Sequence, residues 1–253
     1  MSSTFIPCRY CVNKPGPFPG FYYVVKDNVR YVAECNCHKE WNALQTLERK
    51  LIEANLWPDL DYDPEKHYRG LKSAKEVRNL ITYVDNFETK FFNKMIYMTG
   101  PNGTQKTTLA MWVGKELIKK GKSVYYTLME NLTISLSPDF SSKDNDDARK
   151  RLVDKALSAD LLIVDESFDR SKMTLYKSGY QIPLLDSFLR NRFDIEKKGI
   201  LFISNKAPDT LAANGFGESL HNFIVRNTRG SVLIFKDEYI KEANVIDVKG
   251  LFE

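Results

Sequence analysis

A chain of 253 residues has room for one large domain and a small one beside it, and a formal net charge of +4 is too mild for a global field toward nucleic acid, leaving only a local basic patch. No uncharged apolar run reaches membrane-spanning length, and the start, Met1 to Pro7, has no signal-peptide pattern. These features exclude a membrane role and predict a cytoplasmic protein.

In chain order, the first feature is a set of four cysteines confined to the beginning, as Cys8-Arg9-Tyr10-Cys11 and Cys35-Asn36-Cys37-His38. A reducing compartment disfavours disulfides. Two close pairs, separated by a Gly/Pro turn and a Tyr/Val-rich stretch, predict a small hairpin module held by Zn²⁺. Thiolates at Cys8, Cys11, Cys35 and Cys37 would complete a tetrahedral site, with His38 the alternate ligand if the Cys-x-Cys geometry strains. Trp41, Leu44, Leu47, Leu51 and Ile52 mark an amphipathic helix behind it. The stretch from Trp57 to Pro64, with two prolines and three aspartates, breaks regularity. The expected division is therefore a zinc-binding domain over 1–57, a linker over 58–70 and a core over 71–253.

The core opens with a helix from Leu71 to Phe87 and an apolar run, Met95 to Met98, leading into Gly100-Pro101-Asn102-Gly103-Thr104-Gln105-Lys106-Thr107-Thr108. This is the phosphate-binding pattern G-x-x-x-x-G-K-[ST] with Gln105 in place of its second glycine. Leu109, Trp112, Val113, Leu117 and Ile118 then recur at helical spacing, and Gly121 ends that helix. Strand, glycine loop and helix N-terminus together cradle a polyphosphate through backbone N–H groups. Lys106 would lie against the β and γ phosphates, and the Thr107 hydroxyl would ligate Mg²⁺. Gln105 is expected to fit by keeping φ negative, with Gly103 supplying flexibility, so that binding survives and hydrolysis is slow or partner-dependent.

Val124 to Leu128 reads as the next strand, Ser135 to Asp147 as a polar loop, and Arg149 to Leu157 as a helix. Ala159 to Glu166 is an apolar strand ending in two carboxylates. Asp165 would hold Mg²⁺, directly or through water, and Glu166 would polarise the attacking water as general base. A helix from Ile182 to Arg192 precedes a third apolar run, Gly199 to Asn205. Asn205, beyond a strand's carboxyl end, either reaches the γ-phosphate or the attacking water or simply caps its loop. Val232 to Phe235 is the last strand, and alternating strands and helices predict an α/β fold with a parallel sheet flanked by helices.

The cysteine module, the connector and a short P-loop core ending strands in Asp165-Glu166 and Ser204-Asn205 together resemble the DnaC/DnaI-type replicative helicase loaders and the related IstB transposition ATPases, of the AAA+ class. The likeness covers most of the chain, is best from Lys94 to Asn205, and continues through Phe216-Gly217-Glu218-Ser219. It implies an AAA+ core that lacks a full lid domain and binds ATP and Mg²⁺. It further implies a zinc module that docks on a hexameric replicative helicase, a contact with single-stranded DNA, and self-association on the helicase. Loaders carry arginines just after the Phe216–Ser219 segment, one acting on a neighbour's ATP. Here they are missing in register, and Arg226 or Arg229 either substitutes or is a solvated surface charge. Lys143, Arg149, Lys150 and Arg151, near Phe140, form either a backbone-tracking groove or a solvated helix face. A phage or mobile-element origin fits the divergent loop. Two alternatives stand beside the loader: an IstB-like regulator of a transposase, and a nucleotide-binding protein that captures and inhibits a host helicase or its loader.

Overall fold

In the computed structural model, residues 4–137, 143–173 and 179–237 are described, with backbone alone for 143–146. The chain divides into two units, Met1–Glu53 and Ala54–Glu253.

The first unit begins with a single turn, α1 (Arg9–Val12), followed by an antiparallel hairpin of β1 (Phe21–Lys26) and β2 (Val29–Glu34). Asp27 and Asn28 join the strands with φ of 51° and 62°, the paired left-handed conformations that match a hairpin's twist. Helix α2 (Asn36–Glu53) follows at once. Its expected apolar stripe is only partly covered: Leu51 is buried, while Leu44 and Ile52 stay exposed.

The second unit opens with the single turn α3 (Pro64–His67), capped by the Asp63 side chain accepting from Glu65 N at 3.0 Å. Part of the stretch 58–70 is fastened within this unit. Tyr62 is buried, and the Lys115 ammonium, 1% exposed, donates to the carbonyls of Asp59, Leu60 and Tyr62 at 3.2, 2.9 and 3.1 Å. Three acceptors for three N–H donors satisfy a buried ammonium, and they pin the irregular segment to the helix that carries Lys115. The prolines and aspartates that break periodicity also conceal this packing.

Then come α4 (Ala74–Asp85), β3 (Met95–Thr99), α5 (Lys106–Lys119), β4 (Val124–Leu128) and α6 (Met129–Leu136). They are followed by α7 (Lys143–Ser158), β5 (Leu161–Asp165), α8 (Gln181–Arg190), β6 (Gly199–Ser204), α9 (Glu218–Asn227) and β7 (Val232–Ile234). The expected polar loop from Ser135 to Asp147 is shorter than its composition suggests. Helix α6, with Met129, Leu132 and Thr133 buried one turn apart, reaches into its start, and α7 begins at Lys143. Residues 138–142 of that loop, Phe140 included, lie outside the described residues.

The strands form one sheet in the order β4-β5-β6-β3-β7, every neighbouring pair parallel. The three inner strands are buried along their whole length, which accounts for their unbroken apolar runs. On one face Met95, Tyr97, Leu162, Val164, Ile200 and Phe202 pack with Leu185, Leu189, Phe216 and Phe223. Because the strands are parallel, the loops leaving β3, β5 and β6 emerge along one edge of the sheet. Among the described residues, no helix is long and apolar enough to cross a membrane.

Candidate nucleotide site and cysteine centre

Gly100 leaves β3 with φ 144°, and a Cβ there would run into the Phe235 carbonyl, so only glycine fits. Gly103 takes φ 76° inside the loop. Gln105 caps α5 at φ 61°, ψ 22°, in the left-handed region, contrary to the expectation of a negative φ. The turn into the helix demands that conformation whatever residue stands there, and the glutamine complies at a cost of about 1 kcal/mol. Its side-chain Oε1 is buried without a hydrogen-bond partner.

Lys106, the first residue of α5, is 6% exposed and folds back into the loop. Its ammonium donates to Gly100 O at 2.8 Å, Pro101 O at 2.7 Å and Thr104 Oγ1 at 3.2 Å. Burial pushes its pKa down to about 8, with the Asp165 carboxylate pulling the other way. A buried cation on carbonyl oxygens, beside a helix N-terminus whose first N–H groups have no intrahelical partner, suits a polyphosphate.

Asp165, at the end of β5, meets this loop. Its Oδ2 accepts from Thr107 Oγ1 at 2.7 Å and from Tyr126 Oη at 3.0 Å, while Oδ1 accepts from Glu166 N at 2.6 Å. A threonine hydroxyl on a buried carboxylate, beside a loop lysine, is a donor set that fits Mg²⁺, a hard cation preferring oxygen ligands. Glu166, at φ 52°, points to solvent and pairs with Lys172 at 2.6 Å. Asn205 reaches the loop, donating from Nδ2 to Asn102 Oδ1 at 2.7 Å. It is held there because Ser204 Oγ donates to Ser167 O at 2.5 Å, while Thr99 Oγ1 and Tyr97 Oη donate to Lys206 O at 3.1 and 3.0 Å. The fold thus brings residues 100–108, Asp165, Glu166 and Asn205 to one edge.

Arg226 is not among them. With Arg229, Lys94 and Lys197 it lines a cleft of about 510 Å³ at the amino ends of β3 and β7. A five-residue strand separates the two edges by about 16 Å. Of the basic cluster on α7, Lys150 and Arg151 are exposed and Arg149 is half-buried. Tyr126 and Lys172 escaped the sequence reading. Tyr126 lies in an apolar strand where a tyrosine looks like core, and Lys172 lies in a turn without a motif.

In the first unit the four thiols converge. Cys8 Sγ lies 3.7 Å from both Cys11 Sγ and Cys35 Sγ, and Cys11 Sγ lies 3.6 Å from Cys37 Sγ. Tetrahedral zinc with Zn–S bonds of about 2.3 Å spaces its sulfurs about 3.8 Å apart. The four thus fit zinc and are too far apart for disulfides. His38 is not the alternate ligand. Its Nδ1 faces Glu34 Oε1 at 2.6 Å, and its ring packs against Phe5, Phe21 and Trp41.

Comparison with known proteins agrees with this geometry. Among solved structures, a DnaA replication initiator bound to AMPPCP and single-stranded DNA superposes with a TM-score of 0.53 at 18% identity, over 72% of this chain and 51% of that one. Domain III of DnaA from Thermotoga maritima gives 0.52 at 18% identity, over 72% and 69%. A DnaI structure gives 0.48 at 19% identity, over 71% and 85%, too distant to weigh in the fold. The chain spans about half the length of the first DnaA chain it matches, and these likenesses concern the AAA+-like fold alone. No curated protein matches by sequence. The family model of IstB-like ATP binding proteins matches residues 49–175, just over half of the chain, taking in both the loop and Asp165-Glu166. The chain is therefore a member of the IstB-like ATP-binding protein family.

Proposed function

We propose that this protein is an ATP-dependent loader that binds a hexameric replicative helicase and delivers it to single-stranded DNA, with nucleotide acting as a partner-controlled switch. One observation carries this reading: an assembled Lys106–Thr107–Asp165 site shares the chain with a separate four-cysteine unit whose hairpin exposes Val24, Val29 and Tyr31 on one face. Exposed apolar rows of this kind mark protein-binding surfaces.

In this reading Cys8, Cys11, Cys35 and Cys37 hold zinc and staple the docking unit. Residues 100–108 wrap the phosphates of ATP, and Lys106 exchanges its carbonyl partners for phosphate oxygens. Thr107 and Asp165 would hold Mg²⁺, and that ion, when bound, would supply positive charge against the phosphates. Glu166 accepts a proton from the attacking water once it leaves Lys172, and Asn205 orients that water or senses the γ-phosphate. Arg226 or Arg229 acts only on a neighbouring copy, which ties turnover to assembly.

The test mixes the protein with candidate replicative helicases and measures ATPase activity with and without single-stranded DNA. Helicase capture, and turnover stimulated by helicase and DNA, are expected, and failure to bind any replicative helicase defeats the loader. Glu166→Gln should keep nucleotide binding and lower turnover by roughly 100-fold or more. The IstB-like family match favours one second reading, regulation of a transposase, which capture of a transposase in place of a helicase would establish. Helicase capture without loading would instead indicate an inhibitor.

A further inference from the structure

Asp165 is fastened by one residue that belongs to neither the loop nor the acidic strand. Tyr126, in β4, is 2% exposed, and its hydroxyl shares Asp165 Oδ2 with Thr107. With Glu166 N on Oδ1, the carboxylate is held at three points, so its orientation is set before any ligand arrives.

Tyr126 is itself fastened from the other side. Strand β4 is at the edge of the sheet, and a segment of irregular chain covers that edge. Tyr126 N donates to Ala54 O at 2.9 Å, and Tyr126 O accepts from Asn55 Nδ2 at 3.1 Å. The indole of Trp57 meets the phenol ring edge-on, centroids 5.1 Å apart. Asn55 is itself left-handed, at φ 57°, which turns the chain out of α2 onto the strand. Ala54 is the residue that follows the last one of the cysteine unit.

We propose that Tyr126 is a positioning residue for Asp165, and that through it the junction segment Ala54–Trp57 sets how tightly the nucleotide complex holds Mg²⁺. The inference rests on the reading of Asp165 as a Mg²⁺ holder. It gives the partner-controlled switch a route inside the second unit, because a pull on the chain where it leaves the docking unit acts first on residues 54–57. The physical basis is general: partners that hydrogen-bond a metal-holding carboxylate fix its orientation, and losing one costs about 10- to 100-fold in metal affinity.

The test titrates Mg²⁺ into the full-length protein with a fluorescent ATP analogue and repeats the binding in EDTA. Tyr126→Phe keeps the ring and its packing and removes only the hydroxyl. The expected result is an EDTA affinity and a thermal midpoint like those of the parent protein, with a Mg²⁺ midpoint raised about tenfold. Trp57→Ala removes an exposed side chain, leaves no buried cavity, and should shift the Mg²⁺ midpoint in the same direction by a smaller factor. It keeps the proposal testable should Tyr126→Phe fold poorly. An unchanged Mg²⁺ midpoint in Tyr126→Phe overturns the positioning role. A shift in Tyr126→Phe with none in Trp57→Ala overturns the role of the junction. Asp165→Asn separates the two levels: if it leaves the Mg²⁺ midpoint unmoved, the underlying reading of the site fails.

Discussion

At φ 61° and ψ 22°, Gln105 occupies a conformation in which its own Cβ crowds the following carbonyl, and its amide oxygen is buried without a partner. Both terms vanish in glycine, which pays instead with greater freedom in the unfolded chain. Gln105→Ala keeps the Cβ strain and loses only the amide. Gln105→Gly should therefore be more stable than Gln105→Ala by about 1 kcal/mol, a difference of some 2–4 °C in thermal midpoint for a chain of this size. Equal midpoints would show that the loop relaxes around its side chain. The sequence marked Gln105 as a departure from the motif but not its conformation. Whether a residue before the lysine can keep φ negative is decided by the path from β3 to α5, and that path is tertiary.

Between the elements, one buried side chain ties the amino edge of the sheet. Arg192 has no exposed surface, and its guanidinium donates to the carbonyls of Ala156 and Leu157 at 2.7 and 2.8 Å, and of Ala159 and Gly199 at 2.8 and 2.7 Å. It joins the end of α7, the entry to β5 and the first residue of β6. The widened turn Asn191–Ile195 after α8 aims it inward. Arg192→Met fills similar space yet takes a buried donor from four carbonyls, and should cost about 3–5 kcal/mol, read by denaturant unfolding. A loss below 1 kcal/mol would mean that water replaces the guanidinium. Placement and type of the main strands were legible because continuous apolar runs bury on both faces. Helix α6 was not, because its eight residues show too few turns for a period to emerge. Arg192 was invisible for a different reason: in the sequence it is one more charge at a helix end.

At the scale of the whole molecule, the two units are stabilised by different means. The second has a sheet-centred core. Among the described residues the first buries little beyond Cys11, Cys35 and Leu51, and its hairpin is largely exposed, so zinc on the four thiols would supply what a core supplies elsewhere. Cys8→Ser should release zinc to a colorimetric chelator and leave residues 1–53 open to limited proteolysis. Nucleotide binding and the unfolding transition of residues 54–237 should persist. Collapse of both units together would contradict their independence. The spacing of four cysteines, the loop from Gly100 to Thr108 and the Asp165-Glu166 pair were readable because each chemistry needs its residue types close together in the chain. The sequence by itself thus determined which groups are on offer: four cysteines in two close pairs, a loop of the phosphate-binding pattern, carboxylates at a strand end. Only the tertiary structure decided which groups meet. It set Asn205 against Asn102, Tyr126 on Asp165 and Arg226 at the far edge, because parallel strands collect residues a hundred positions apart at one end of the sheet, and no local pattern records which end a side chain will reach.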